Sequence, residues 1–194
     1  VVVKGSNPNW HTGLRIGNGA TSTNSSPTVT TNGDVTFGAL EDSSNFIFRN
    51  GTIIANSGTL SIKGQGGSTA LSLYDAFTVT GNNGASINIE GVMTSSTGNA
   101  VFIGQTAAAI VRTNGGGNIT IKGTSEGGVG VGLGLINAHS AIINSSGAVK
   151  ITGVSRGNVT SSQYPSKGVI SIANITGTSV TIDGTSTNNE GTYI

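Results

Sequence analysis

One short phrase returns six times along this chain of 194 residues: VTFG at Val35 to Gly38, LSIKG at Leu60 to Gly64, INIEG at Ile87 to Gly91, ITIKG at Ile119 to Gly123, VKITG at Val149 to Gly153 and VTIDG at Val180 to Gly184. The opening VVVKG, Val1 to Gly5, reads as a seventh copy. Each copy alternates apolar and polar residues and then stops at glycine, which is the pattern of a short, half-buried strand. The starts at Val1, Val35, Leu60, Ile87, Ile119, Val149 and Val180 are 34, 25, 27, 32, 30 and 31 residues apart. Recurrence on that scale marks a solenoid.

Two further apolar strings separate successive copies. They are Leu14 to Ile16 with a weaker one around Val29, Phe46 to Phe48 with Thr52 to Ile54, and Leu71 to Leu73 with Phe77 to Val79. Then follow Val101 to Ile103 with Ile110 to Val111, Val131 to Leu135 with Ala141 to Ile143, Val169 to Ile172 with Ile175, and finally Thr192 to Ile194. Three strands per repeat predict an all-β fold, a parallel β-helix of about seven coils of three strands, forming one repeat domain over residues 1–194. A single coil cannot stand alone, because ordering each backbone costs about 1–2 kcal/mol. Stacking must supply the stability, interface by interface.

The corners carry the punctuation. Before the main strand stand Asn32-Gly33, Asn56 with Gly58, Asn82-Asn83-Gly84, Asn114-Gly115, Asn144 with Gly147, and Asn174 with Gly177. Asn and Gly tolerate positive φ, and stacked asparagines predict a ladder of side-chain hydrogen bonds. Segment length varies mainly after the main strand, from Gly64 to Ala70 at the short end to Gly153 to Gly168 at the long end. A second insertion, Gly17 to Pro27, is expected in the first coil only.

Composition narrows the function. Charged residues make up 9% of the chain against about 25% in ordinary globular domains, yet the strings of Val, Ile and Thr argue for ordered β-structure rather than disorder. A formal charge of +1 with scattered Lys and Arg gives no electrostatic case for nucleic acid or an anionic membrane. Cysteine is absent, which excludes disulfides and thiolate metal sites. No apolar run approaches the roughly 18 residues of a membrane span, and nothing at Val1 resembles a signal peptide. Because the chain opens and closes inside repeats, we expect a fragment of a longer array.

Parallel β-helices include polysaccharide lyases and hydrolases, and those sites need clustered carboxylates. The acids here are Asp34, Glu41, Asp42, Asp75, Glu90, Glu126, Asp183 and Glu190. Glu90 and Asp183 share a repeat position three coils apart, about 14 Å at the ladder spacing, which is too far for glycoside hydrolysis. A catalytic reading is therefore the alternative, not the expectation. The residues before the glycines, Lys4, Gly38, Lys63, Glu90, Lys122, Thr152 and Asp183, stack into one row, with Lys63, Glu90 and Lys122 alternating in sign. We read that row as a surface ladder worth under about 1 kcal/mol per pair. The outward positions Thr36, Ser61, Asn88, Thr120, Lys150 and Thr181 form a polar face too irregular for an ice-binding array.

His11 and His139 lack a second ligand nearby and read as exposed turn residues, so no metal site and no cofactor are expected. The run from Gly127 to Leu135 carries GxGxxG-like spacings but no following helix, so it reads as a glycine-rich strand with close backbone approach. Trp10 and His11 in the first corner loop, and Arg156, Tyr164 and Lys167 in the longest, are the candidate contact residues, since exposed aromatics beside Arg are common recognition groups. Sequons stand at Asn24, Asn118, Asn144, Asn158 and Asn174, each a candidate glycosylation site in a secreted protein.

The strings GNITIKGTS, SGAVKITGVS and TSVTIDGTSTNNEGTYI resemble the large exoproteins of two-partner secretion, the filamentous-haemagglutinin and high-molecular-weight adhesin family of Gram-negative bacteria. The resemblance implies a right-handed, single-stranded parallel β-helical shaft that is exported through an outer-membrane partner and displayed at the bacterial surface. It also implies a host glycan or protein receptor, and a use for the sequons. A trimeric phage or surface-layer fibre is a third reading.

Overall fold

The computed structural model describes residues 2–3, 14–16, 26–40, 46–67, 69–104, 107–134, 141–157, 166–187 and 191–194. Trp10, His11, Asn24, His139, Asn158 and Tyr164 lie outside the described residues, as do Lys4, Glu41, Asp42 and Glu190.

Three parallel sheets form the walls of a β-solenoid. The first holds β1 (Val2–Val3), β4 (Val35–Phe37), β7 (Thr59–Gly66), β10 (Ser86–Met93), β13 (Ile119–Ser125), β16 (Ala148–Ser155) and β19 (Ser179–Ser186), in that spatial order. The second holds β2 (Leu14–Ile16), β5 (Phe46–Arg49), β8 (Thr69–Tyr74), β11 (Asn99–Ile103), β14 (Val129–Leu133), β17 (Val169–Ser171) and β20 (Thr192–Tyr193). The third holds β3 (Thr28–Thr31), β6 (Thr52–Ala55), β9 (Thr78–Gly81), β12 (Ile110–Thr113), β15 (Ile142–Ser145) and β18 (Asn174–Thr176). Every pairing is parallel, between a strand and its counterpart one repeat away.

The expectation of about seven coils of three strands is corrected. About four turns, from β7 to β18, combine a first strand of seven or eight residues with all three walls. The layers on either side are abbreviated. Before β7 the reason is Gly38: it aligns with Lys63 rather than with the other repeat glycines, adopts φ +80°, and turns the chain after only three residues of β4.

Leu60, Ile87, Ile119 and Val149 fall in one column, extended by Val35 and Val180. The four named first are 0–1% exposed. Inward residues of the other walls, among them Phe46, Phe48, Phe77, Leu71, Val101 and Ile143, complete a core that runs through successive turns.

The strands of the first sheet do not stop at glycine. From β7 to β19 each continues two residues past it, so Gly64, Gly91, Gly123 and Gly153 occupy inward positions in mid-strand, stacked with Gly184. None of the five has positive φ. The reason for glycine is space: a Cβ at Gly91, Gly123 or Gly153 would fall well inside 3.0 Å of the carbonyl oxygen of Ala100, Gly130 or Gly168, where the second sheet begins. The glycine-rich strand β14 follows the same rule, since a Cβ at Gly130 would meet Val154 N at 2.5 Å and Gly168 O at 2.6 Å.

The corner from third to first sheet is 2–5 residues long throughout, and asparagines stack there as expected. Asn56 Nδ2 donates to Asn32 Oδ1 at 3.2 Å, Asn82 Nδ2 to Asn56 Oδ1 at 3.3 Å, and Asn114 Nδ2 to Asn82 Oδ1 at 3.3 Å. Asn144 and Asn174 do not join. They sit within β15 and β18, and at the next corner Ser146 Oγ instead accepts from Gly116 N at 2.8 Å. Asn82 is donor to one neighbour and acceptor for the other, so Asn82→Ala is expected to lower stability by about 1–3 kcal/mol, two hydrogen bonds at typical net value. Urea unfolding of the purified chain measures this, and no shift in midpoint would show that the ladder is ornamental.

Length variation is not confined to one corner. Between first and second sheets the connections run from 2 residues after β7 to 13 after β16, and between second and third from 2 after β5 and β17 to 11 after β2.

Candidate functional site

The outward face of the first sheet is built from two adjoining rows whose register the alternation fixes. Thr36, Ser61, Asn88, Thr120, Lys150 and Thr181 form one row. Lys63, Glu90, Lys122, Thr152 and Asp183 form the next. Glu90 and Asp183 are thus separated by two intervening strands, as the repeat positions require.

Over the middle of this face lies a half-open depression of about 310 Å³, lined by Ser61, Lys63, Asn88, Ile89, Glu90, Thr120 and Lys122. Lys122 Nζ donates to Glu90 Oε1 at 3.0 Å. The side chains are 54% and 25% exposed, so solvent screens the pair, and Lys122→Ala is expected to change stability by less than about 1 kcal/mol. A thermal-melt comparison checks this, and a larger loss would mean that the ladder braces the sheet.

The candidate contact residues at the long corner are placed in part. Arg156 Nη1 donates to Glu126 Oε1 at 2.7 Å, joining successive turns, with side chains 59% and 45% exposed. Lys167 is half-buried, and its carbonyl accepts from Gly130 N at 3.0 Å. Among the sequons, Asn118 is exposed and its Oδ1 accepts from Ala148 N at 2.8 Å, so its side chain braces the next turn. Asn144 and Asn174 are exposed strand residues rather than turn residues.

A cluster that sequence reading missed lies where the second sheet turns toward the third. The Arg49 guanidinium lies 4.9 Å from the Tyr74 ring centroid, and its Nε is 3.7 Å from Asp75 Oδ2. Phe102 meets Tyr74 edge-on, with centroids 5.9 Å apart. Asp75 and Ala76 hold φ of 52° and 62°, and the Tyr74 carbonyl accepts from Phe77 N at 3.1 Å across this turn. The signal available in sequence was an Arg ending β5 and a Tyr ending β8, but only the register Arg49↔Tyr74 brings them together.

No family model matches the chain, and no curated protein or solved structure is significantly similar to it. Among the described residues, no three of His, Asp or Glu come together in a group able to hold a metal ion. Among the described residues, no helix is long and apolar enough to cross a membrane.

Proposed function

We propose that this chain is a non-catalytic segment of a bacterial surface adhesin, a rigid shaft whose corner loops meet a host glycan or protein. One observation carries the reading: the backbone ladders hold register across turns whose connections differ by up to 11 residues, so length is absorbed at corners while the walls stay constant. That is the economy of a spacer, stiff along its axis and variable at its edge. The parallel crossovers are right-handed in this reading, as nearly all such connections are, and a single chain winds the helix.

The resemblance of GNITIKGTS and its sister strings to two-partner secretion exoproteins supports secretion through an outer-membrane partner and residence at the cell surface. The sequons at Asn24, Asn118, Asn144, Asn158 and Asn174 are modification sites in this reading. Against catalysis stands the spacing of the acids: Glu90 and Asp183 are about 14 Å apart at the ladder spacing, and Glu126 is already paired with Arg156.

The test is binding of the purified chain to host-cell glycans on an array, with a Tyr164→Ala, Arg156→Ala variant beside it. Binding by the wild type and its loss in the variant is the expected pair of results. Turnover of a polysaccharide panel, read as new reducing ends, would replace the adhesin with the lyase or hydrolase alternative. Trimers in light scattering would replace it with a fibre.

A further inference from the structure

We propose that the depression over Glu90 binds the carboxylate of an acidic monosaccharide unit, with Lys63 as the cation that meets it. The inference rests on the reading that this chain encounters glycans, and it assigns a site on a sheet face rather than at a corner.

Charge inside the depression is unbalanced. Two ammonium groups, Lys63 and Lys122, face one carboxylate, Glu90. Lys122 is committed to Glu90 at 3.0 Å, whereas among the described residues Lys63 has no ion-pair partner. Lys63 is also half-buried as a residue and lines a depression rather than an open face, where an incoming anion is screened less than at a free surface. Around it, among the described residues, the side chains of Ser61, Asn88 and Thr120 form no hydrogen bonds. Two hydroxyls and an amide therefore remain available to a ligand rich in hydroxyl groups.

Other ligand classes fit less well. A peptide adding itself as a strand needs a free sheet edge, but β7, β10 and β13 are each paired on both sides. A peptide anchored by apolar side chains needs an apolar pocket, and the single aliphatic lining residue, Ile89, is 1% exposed. Single-stranded nucleic acid needs aromatic platforms, and the lining contains none. The volume of about 310 Å³ sits at the small end of ligand sites, which suits one or two sugar rings.

The experiment is an NMR titration of the full chain with methyl β-D-glucuronide and, separately, methyl β-D-glucoside, which differ at the carboxylate alone. Glucuronide is expected to shift the amides of residues 61–63, 88–90 and 120–122 and the Asn88 side-chain amide, with the glucoside at least about tenfold weaker, the value of one charge-assisted hydrogen bond. Lys63→Ala should weaken glucuronide binding about tenfold, Lys63→Arg should keep most of it, and Lys150→Ala, in the neighbouring row, should leave it unchanged. Equal response to the two sugars, shifts centred on Arg156 and Lys167, or no shifts at all would overturn the assignment. If the depression stays silent while cells are still bound through the long corner, this inference falls and the adhesin reading stands. The reverse pattern separates them the other way.

Discussion

Replacing Gly123 by alanine is expected to cost about 3 kcal/mol or more, an unusual penalty for one added methyl group. The new Cβ would overlap the carbonyl oxygen of Gly130, with the Gly130 carbonyl carbon and Val131 Cγ2 close behind. Backbone cannot swing aside as a side chain can, and the neighbouring turns fix both strands from above and below. The control is Gly67→Ala, where an added Cβ meets nothing within 4 Å and φ is not positive. That change should be neutral or stabilising by about 0.4–1 kcal/mol through the unfolded state. Urea unfolding of the two variants checks the contrast. A Gly123→Ala midpoint equal to wild type would mean that the walls can move apart and that the inward glycine column is not a packing requirement.

Phe77→Ala should cost about 3–5 kcal/mol, the usual range for emptying an aromatic site in a core. Phe77 is 0% exposed, packs on Phe48 with centroids 5.4 Å apart at 57°, and its ring edge lies where a Cβ on Gly51 would come within 2.9 Å. It therefore ties two successive turns at the corner between the second and third walls. Because stability in a stacked array accrues per interface, hydrogen exchange should quicken most at residues 46–55 and 78–81, and less at residues 148–155. Uniform quickening along the chain would show that the array unfolds as one unit instead.

Much of this architecture was legible beforehand because the repeat is periodic in the property that decides burial. Leu60, Ile87, Ile119 and Val149 announce a column through shared position alone, and the asparagines from Asn32 to Asn114 announce a ladder. What was not legible depended on contacts between walls. From Gly64 to Gly184 the glycine in each phrase looks like a stop signal, and its true reason, a carbonyl at the start of the next wall pressing on it, exists only once the sheets meet. Both faces of β11 and β14 are buried, which a short apolar run cannot reveal. The Arg49, Tyr74 and Asp75 cluster needs a register between strands 25 residues apart in sequence. Asn144 misled because it precedes Ser-Ser-Gly as a turn residue would, yet its strand runs one residue further than the pattern suggests. Of the candidate contact residues, Arg156 turned out to bridge successive turns through Glu126, a partner that only stacking supplies.

The two-residue link after β7 and the thirteen-residue link after β16 deliver the chain to the same wall in matching alignment. A lineage carrying this scaffold can therefore lengthen, shorten or exchange what it presents at that elbow by simple insertion or deletion, with no compensating change in the walls. Variation at the elbow and the integrity of the walls are then written in separate stretches of the gene, and foreign peptides grafted after Ser155 should ride on an undisturbed support.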